Sequence, residues 1–253
     1  MESYATAQQV FAAGLIFARL GAIVMLIPGL GETFIPPRIR LAFALSLVLM
    51  LFPLVGAAAP ALPTDSAGMA LAVIKEVLIG LMIGGILRLF MTSLASAGEI
   101  VSIQTTLAFS QTANPMQAQP STTIGTFLGL MGIVLIFVTN LHHLFIAAIL
   151  QSYDLFPFRM NVPVADAGQL AVQTVGRSFA LGLQLAAPVV VFSLIFNIAT
   201  GLVGRVMPQF QVFFVATPLM LILGLSVFAL SLGVIGMVWV DRYRELIGTF
   251  ARP

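Results

Sequence analysis

His142, His143, Glu76 and Glu99 are the side chains of this sequence best suited to do chemistry. Adjacent histidines on a helix project about 100° apart, so His142 and His143 cannot share one metal ion as an i, i+4 pair does. They are the two histidines of the chain, and no carboxylate lies near them in sequence. Packed or interfacial rings are the expectation. Glu76 and Glu99 lie beside or within apolar tracts, where carboxylates often relay protons, but no third titratable group joins them. There is no Walker lysine, GxSxG, HExxH or HxxxH pattern, and no cysteine for a thiolate metal site or a disulfide. The sequence predicts a protein that is not an enzyme, with no catalytic residue, no metal and no cofactor.

What remains is charge in unusual surroundings. Arg19 and Arg88 fall inside apolar tracts, where an unpaired arginine costs at least about 2.5 kcal/mol. Both are therefore expected to face protein or water. From Phe179 to Val240 the chain is almost unbroken hydrocarbon, interrupted by Gly204-Arg205-Val206-Met207-Pro208-Gln209. Pro208 removes a backbone donor and Arg205 cannot lie bare in lipid. Two helices are expected, joined at a polar corner that needs protein around it.

The elements that position these residues follow from composition. Of 253 residues, 60% are hydrophobic and 8% charged, against roughly 25% charged in globular domains. Mean hydropathy is +1.09. The formal charge of +2 comes from eleven Lys and Arg over nine Asp and Glu. With no basic cluster, no nucleic acid partner is expected; membrane lipid is. Met1 to Tyr4 lack a basic n-region, so the first apolar segment is expected to be retained. Apolar tracts run over Val10–Leu30, Leu41–Leu62, Val77–Leu94, Thr123–Leu150, Phe179–Val203 and Val212–Val240. Each is near the ~20 residues that cross a bilayer core, and none alternates as a barrel strand would. The predicted fold class is all-α, a helical membrane protein of about six hydrophobic segments forming one domain over 1–253, with Pro157–Arg177 as a linker.

Loop charges give conflicting orientations. Lys75, Arg159, Arg177, Arg242, Arg244 and Arg252 favour a cytoplasmic N-terminus, whereas Arg38, Arg40 and Arg205 oppose it. Either the positive-inside bias is weak or some segments do not simply span.

Glu76, Gly80, Gly84 and Arg88 recur every fourth residue. This sets a carboxylate, two bare backbone patches and a guanidinium along one helix face, suited to close helix packing. Gly125 and Gly129 repeat the spacing, as do Gly14, Ala18 and Ala22. Spacing alone leaves open whether such seams lie within one chain or between subunits. Between Glu99 and Asp154 there is no Lys, Arg, Asp or Glu, yet Gln104–Thr122 is too polar for lipid. Pro115 and Pro120 prevent a continuous helix there. The stretch is either an exposed connection or non-helical backbone buried in protein or lining a cavity.

Phe196-Asn197, Gly201, Arg205, Pro208-Gln209, Phe213 and Pro218 resemble the C-terminal signature of the FliR family of the type III secretion export gate. Phe17-Ala18-Arg19, Pro28, Pro36 and Arg40 are similar to the family's N-terminal pattern, and Glu76, Gly80 and Gly84 to its next helix. Gly98-Glu99-Ile100, Gln104, Phe109 and Pro115 are similar to the stretch entering its central loop. Asn114, Leu141 and Gln211 depart from the family's usual Asp, Gly and Asn.

The resemblance implies broken helical hairpins and a core subunit of the flagellar export gate in the bacterial inner membrane, at the flagellar basal body. It implies assembly with FliP and FliQ into a closed channel, with FlhB and FlhA nearby and unfolded flagellar proteins as cargo. It also implies a channel plug formed by the loop, with Phe109, Ser110, Gln111, Thr112, Asn114, Pro115, Met116, Gln117, Gln119 and Pro120 as gating residues. Assembly roles are implied for Arg19, Glu76, Gly80, Gly84, Arg88, Glu99, Asn197, Gly201, Arg205, Pro208, Gln209, Phe213 and Pro218. The alternatives are the equivalent subunit of a virulence injectisome and a secondary transporter.

Overall fold

In a computed structural model of the chain, residues 6–108, 122–160, 164–207, 209 and 211–250 are described. Seven α-helices lie among them: α1 (Ala7–Leu26), α2 (Pro37–Val55), α3 (Ser66–Gln104), α4 (Thr123–Val138), α5 (Leu141–Leu155), α6 (Val164–Val206) and α7 (Val212–Gly248). No strand occurs among the described residues. The fold class is all-α. Helices α1, α2, α3, α6 and α7 are long and apolar enough to cross a membrane, and α4 with α5 makes a sixth span if the bent pair counts as one.

Local chemistry sets several boundaries. Thr6 Oγ accepts the Gln9 N–H while the Gln9 side chain accepts the Thr6 N–H, a capping box that starts α1. That helix stops at Leu26, short of the apolar tract's end at Leu30, because Ile27 precedes Pro28 and is held extended (φ −59°, ψ 130°). Pro37 then opens α2 from the first helical position, where its missing N–H costs nothing.

Three helices are much longer than the tracts that announced them: 39 residues in α3, 43 in α6 and 37 in α7. At about 1.5 Å per residue, α3 alone runs about 58 Å, nearly twice a hydrocarbon core. No proline interrupts Ser66–Gln104, so the helix continues through the polar residues at both ends. Lys75 and Arg177 consequently lie inside helices rather than in connecting loops. The linker foreseen over Pro157–Arg177 is helical from Val164 onward. Conversely, the tract Thr123–Leu150 breaks at Thr139 and Asn140. Asn140 takes a left-handed conformation (φ 59°, ψ 21°), which asparagine tolerates better than most residues.

Two compact units make up the described chain, one from residues within 1–90, 136–174 and 243–253, the other from residues within 91–135 and 175–242. In the first, Leu15, Ile16, Leu20 and Ile23 of α1 are buried with Ile79, Ile83, Ile86 and Leu87 of α3. Tyr243 stacks on Phe90 and meets Phe145 edge-on, and its hydroxyl donates to the Leu87 carbonyl. In the second, Leu94, Ala97, Val101, Leu128, Leu185 and Val189 are buried. Trp239 is fully buried there and donates its Nε1–H to Ser93 Oγ at 3.2 Å, so its one polar group is satisfied. Large apolar side chains also face outward, among them Leu49, Met50, Leu71, Leu202, Phe214 and Leu230. Water is the wrong solvent for such a surface; lipid or protein suits it.

Candidate functional site

Arg19 is completely buried on α1 and is satisfied in four directions. Its Nε donates to Glu76 Oε2 of α3 at 2.7 Å, and the two side chains are 0% and 2% exposed. One terminal nitrogen donates to the Ser152 carbonyl at 2.8 Å and approaches Ser152 Oγ at 3.4 Å; the other donates to the Phe156 carbonyl at 2.8 Å. The Ser152 carbonyl belongs to the last turn of α5 and Phe156 caps its C-terminus, a negative end that favours a cation. The guanidinium lies 4.1 Å from the Tyr153 ring centroid and 5.6 Å from that of Phe158, a cation–π arrangement. Beside it, Lys75 Nζ donates to the Phe158 carbonyl. The planar five-donor fork of arginine is what lets one side chain tie α1, α3 and the end of α5 together.

The seam read from Glu76, Gly80, Gly84 and Arg88 meets α1 of the same chain. A methyl group on Gly80 would stand 2.5 Å from the Arg19 carbonyl oxygen and 2.7 Å from Ala22 Cβ; one on Gly84 would stand 2.9 Å from Leu26 Cβ. Only glycine permits this approach. Glu76 closes one end of the seam through Arg19, and Arg88 closes the other through Glu32 at 3.6 Å, partly exposed. Gly14 and Gly129, by contrast, have open space where a Cβ would stand.

A second crossing lies in the other unit. Gly98 of α3 is so near Gly125 of α4 that a methyl on Gly98 would overlap the Gly125 backbone. The next residue, Glu99, is half-buried and accepts the Thr122 N–H at 2.8 Å. Thr122 Oγ in turn accepts the Gly125 N–H at 3.1 Å. A carboxylate and a hydroxyl thus satisfy the free donors that begin α4. On the other flank of the central loop, Thr105 is buried, its hydroxyl donates to the Val101 carbonyl, and its methyl fills the space where a Cβ on Gly224 of α7 would stand. Both chain stems of the loop are therefore anchored. Phe109, Ser110, Gln111, Thr112, Asn114, Pro115, Met116, Gln117, Gln119 and Pro120 lie outside the described residues, as does Pro208.

The C-terminal signature residues are not drawn into either cluster. Asn197, Gly201 and Arg205 are exposed on α6, Gln209 is exposed between the helices, and Pro218 is exposed on α7; Phe213 is in the first turn of α7. Arg205 sits in the last turn of α6, where its charge suits the helix dipole. No hydrogen bond or ion pair to it occurs among the described residues. The His142 ring lies tilted against those of Phe137 and, more closely, His143. Among the described residues no three His, Asp or Glu side chains could hold a metal ion. Around Arg19 and around Gly98 the side chains clamp helices to one another.

Sequence reasoning missed the partners rather than the charges. Ser152 and Phe156 act through backbone carbonyls, which no residue type betrays. Tyr153 and Phe158 carried a usable signal, two aromatics flanking the end of an apolar tract near Arg159.

The family described as bacterial export proteins, family 1, matches residues 10–246. A flagellar biosynthetic protein FliR of Caulobacter vibrioides is 61% identical over 250 residues, covering 99% of this chain and 100% of its own. FliR proteins of Bacillus subtilis and Escherichia coli are 28% and 26% identical, covering 88% and 92% of this chain and 87% and 88% of theirs. With a full-length match, an all-helical membrane fold and signature residues in order from Arg19 to Pro218, the chain belongs to the FliR family of bacterial flagellar export proteins.

Proposed function

We propose that this protein is a core subunit of the type III protein export gate in the bacterial inner membrane, assembling with FliP and FliQ into a closed channel that passes unfolded flagellar proteins, with FlhB and FlhA nearby. The observation that carries the reading is the exposed face around Arg205. Leu194, Ile198, Leu202 and Phe214 make that surface too apolar for water, while Asn197 and Arg205 on the same stretch make it too polar for lipid. Other subunits satisfy both conditions. The flagellar relative identical at 61% supports this system over an injectisome.

Replacing Arg205 by alanine is expected to weaken assembly by about 2 kcal/mol, roughly thirtyfold, as for an interface anchor. Recovery of the complex through a tagged copy, together with swimming motility, measures it; unchanged recovery and motility would remove Arg205 from the interface.

A passage for many unrelated unfolded chains must avoid fixed charge and strong hydrogen-bond codes, because either would hold some sequences and stall them. The uncharged, amide-bearing stretch Gln104–Thr122 meets that requirement in its composition. Phe109, Met116 and the amides of Gln111, Gln117 and Gln119 close the resting channel against ions, and entering cargo displaces them. Deleting Gln111–Gln119 is expected to raise ion conductance of membranes carrying the assembled gate. Normal assembly with unchanged conductance would refute the plug.

A further inference from the structure

A cleft of about 570 Å³ opens in the first unit where two apolar helices end together. Its walls include Leu54 and Val55 at the end of α2, the short 3-10 turn Gly56–Ala58, and Leu150 and Tyr153 near the end of α5. Asp154 and Arg159 are the charged residues of the lining; both are exposed, and neither has an ion partner among the described residues. Tyr153 is 7% exposed, and its hydroxyl is buried without a hydrogen-bond partner. The volume suits a small-molecule or headgroup site.

Three properties converge on one kind of occupant. First, α5 passes from hydrocarbon to polar residues here, over Gln151, Ser152 and Asp154, and α2 ends beside it; such a passage is where a bilayer's headgroups lie against a spanning protein. Second, Leu54 and Leu150 face outward beside the cleft, 68% and 38% exposed, so an acyl chain has a wall to follow. Third, the polar lining carries one anion, one cation and one unsatisfied hydroxyl. An anionic lipid would meet Asp154 unfavourably. A quaternary ammonium has no N–H to donate to a carboxylate, and the Arg19 guanidinium already lies over the Tyr153 ring, leaving that ring less free to hold it by cation–π contact.

We infer that this cleft binds a zwitterionic phospholipid with a primary ammonium headgroup. Arg159 and the Tyr153 hydroxyl donate to the phosphate, Asp154 accepts from the ammonium, and an acyl chain lies along Leu54 and Leu150. The inference stands on this cleft alone and is independent of the gate assignment.

The test is native mass spectrometry of the full chain in mild detergent, titrated with phosphatidylethanolamine, phosphatidylcholine and phosphatidylglycerol of identical acyl chains. Phosphatidylethanolamine is expected to bind most tightly. Arg159→Gln and Asp154→Asn should each weaken it about tenfold, the loss of one charge-assisted hydrogen bond, with the thermal melt unchanged. Tyr153→Phe, which keeps the ring over Arg19, should weaken it in the same direction, while Arg177→Gln, an exposed arginine that is not among the lining residues, should not. Equal binding of phosphatidylcholine would overturn the assignment. So would affinity indifferent to both charge-removing variants, or equally tight binding of acyl-free glycerophosphoethanolamine.

Discussion

Glu76→Ala is expected to destabilise the protein by about 3–5 kcal/mol, the usual cost of breaking a buried ion pair from one side. Arg19 cannot swing out to solvent, because its two terminal nitrogens remain tied to the Ser152 and Phe156 carbonyls and its side chain is wholly enclosed. Its charge would stay in a low-dielectric interior with the carboxylate gone. Against a typical total of about 5–15 kcal/mol, this loss is enough to lower the amount of protein surviving in the membrane. Thermal unfolding in detergent and the decay of protein after synthesis is stopped both measure it. The paired replacement Arg19→Met with Glu76→Leu separates charge from shape. If an uncompensated charge is the cause, the double variant recovers much of the loss. A single variant that melts and persists like the parent would show that the pair does not hold α1 to α3.

Gly98→Ala carries the second large effect. The added methyl meets the Gly125 Cα and N and the Ile124 carbonyl carbon, all backbone atoms that cannot rotate aside. Helices α3 and α4 must separate locally, and overpacking of this kind costs about 1–3 kcal/mol or more. Gly129→Ala, on the same helix as Gly125 but with open space at its Cβ, is the matched control. It removes backbone freedom without a clash and should be neutral or stabilising by up to about 1 kcal/mol. The difference between the two melting temperatures reads the crossing directly, and equal melts would mean that the crossing does not limit stability. A functional deficit is expected as well, since Glu99, the residue after Gly98, holds the Thr122 N–H where the central loop rejoins the fold. Swimming motility should fall in Gly98→Ala and not in Gly129→Ala.

The spans were legible because hydropathy is a local property. A run such as Val77–Leu94 has few solvents open to it, and Pro28 marks a helix end wherever it is placed. Helix length was less legible. Residues such as Lys75 and Glu76 look like a boundary by polarity, yet they continue a helix because nothing in Ser66–Gln104 breaks it. The fracture of Thr123–Leu150 was missed for the opposite reason: one asparagine in a left-handed conformation turns the chain without any change in hydropathy. At the site, the four-residue rhythm of Glu76, Gly80, Gly84 and Arg88 was readable as a packing face, since spacing on one helix is fixed by its 3.6-residue period.

The sequence by itself determined the solvent of this protein, its all-α class, its family and the positions where charge had to be explained. Each follows from residue type, order or short-range spacing. Only the tertiary structure decided who explains the charge: Glu76 is answered by Arg19, 57 positions earlier, and Arg19 in turn by two carbonyls at the end of α5, 133 and 137 positions later. A buried ion must be satisfied in three dimensions, and its partners include backbone atoms common to every residue. That requirement is written in the sequence, while the answer exists only once the helices are in contact.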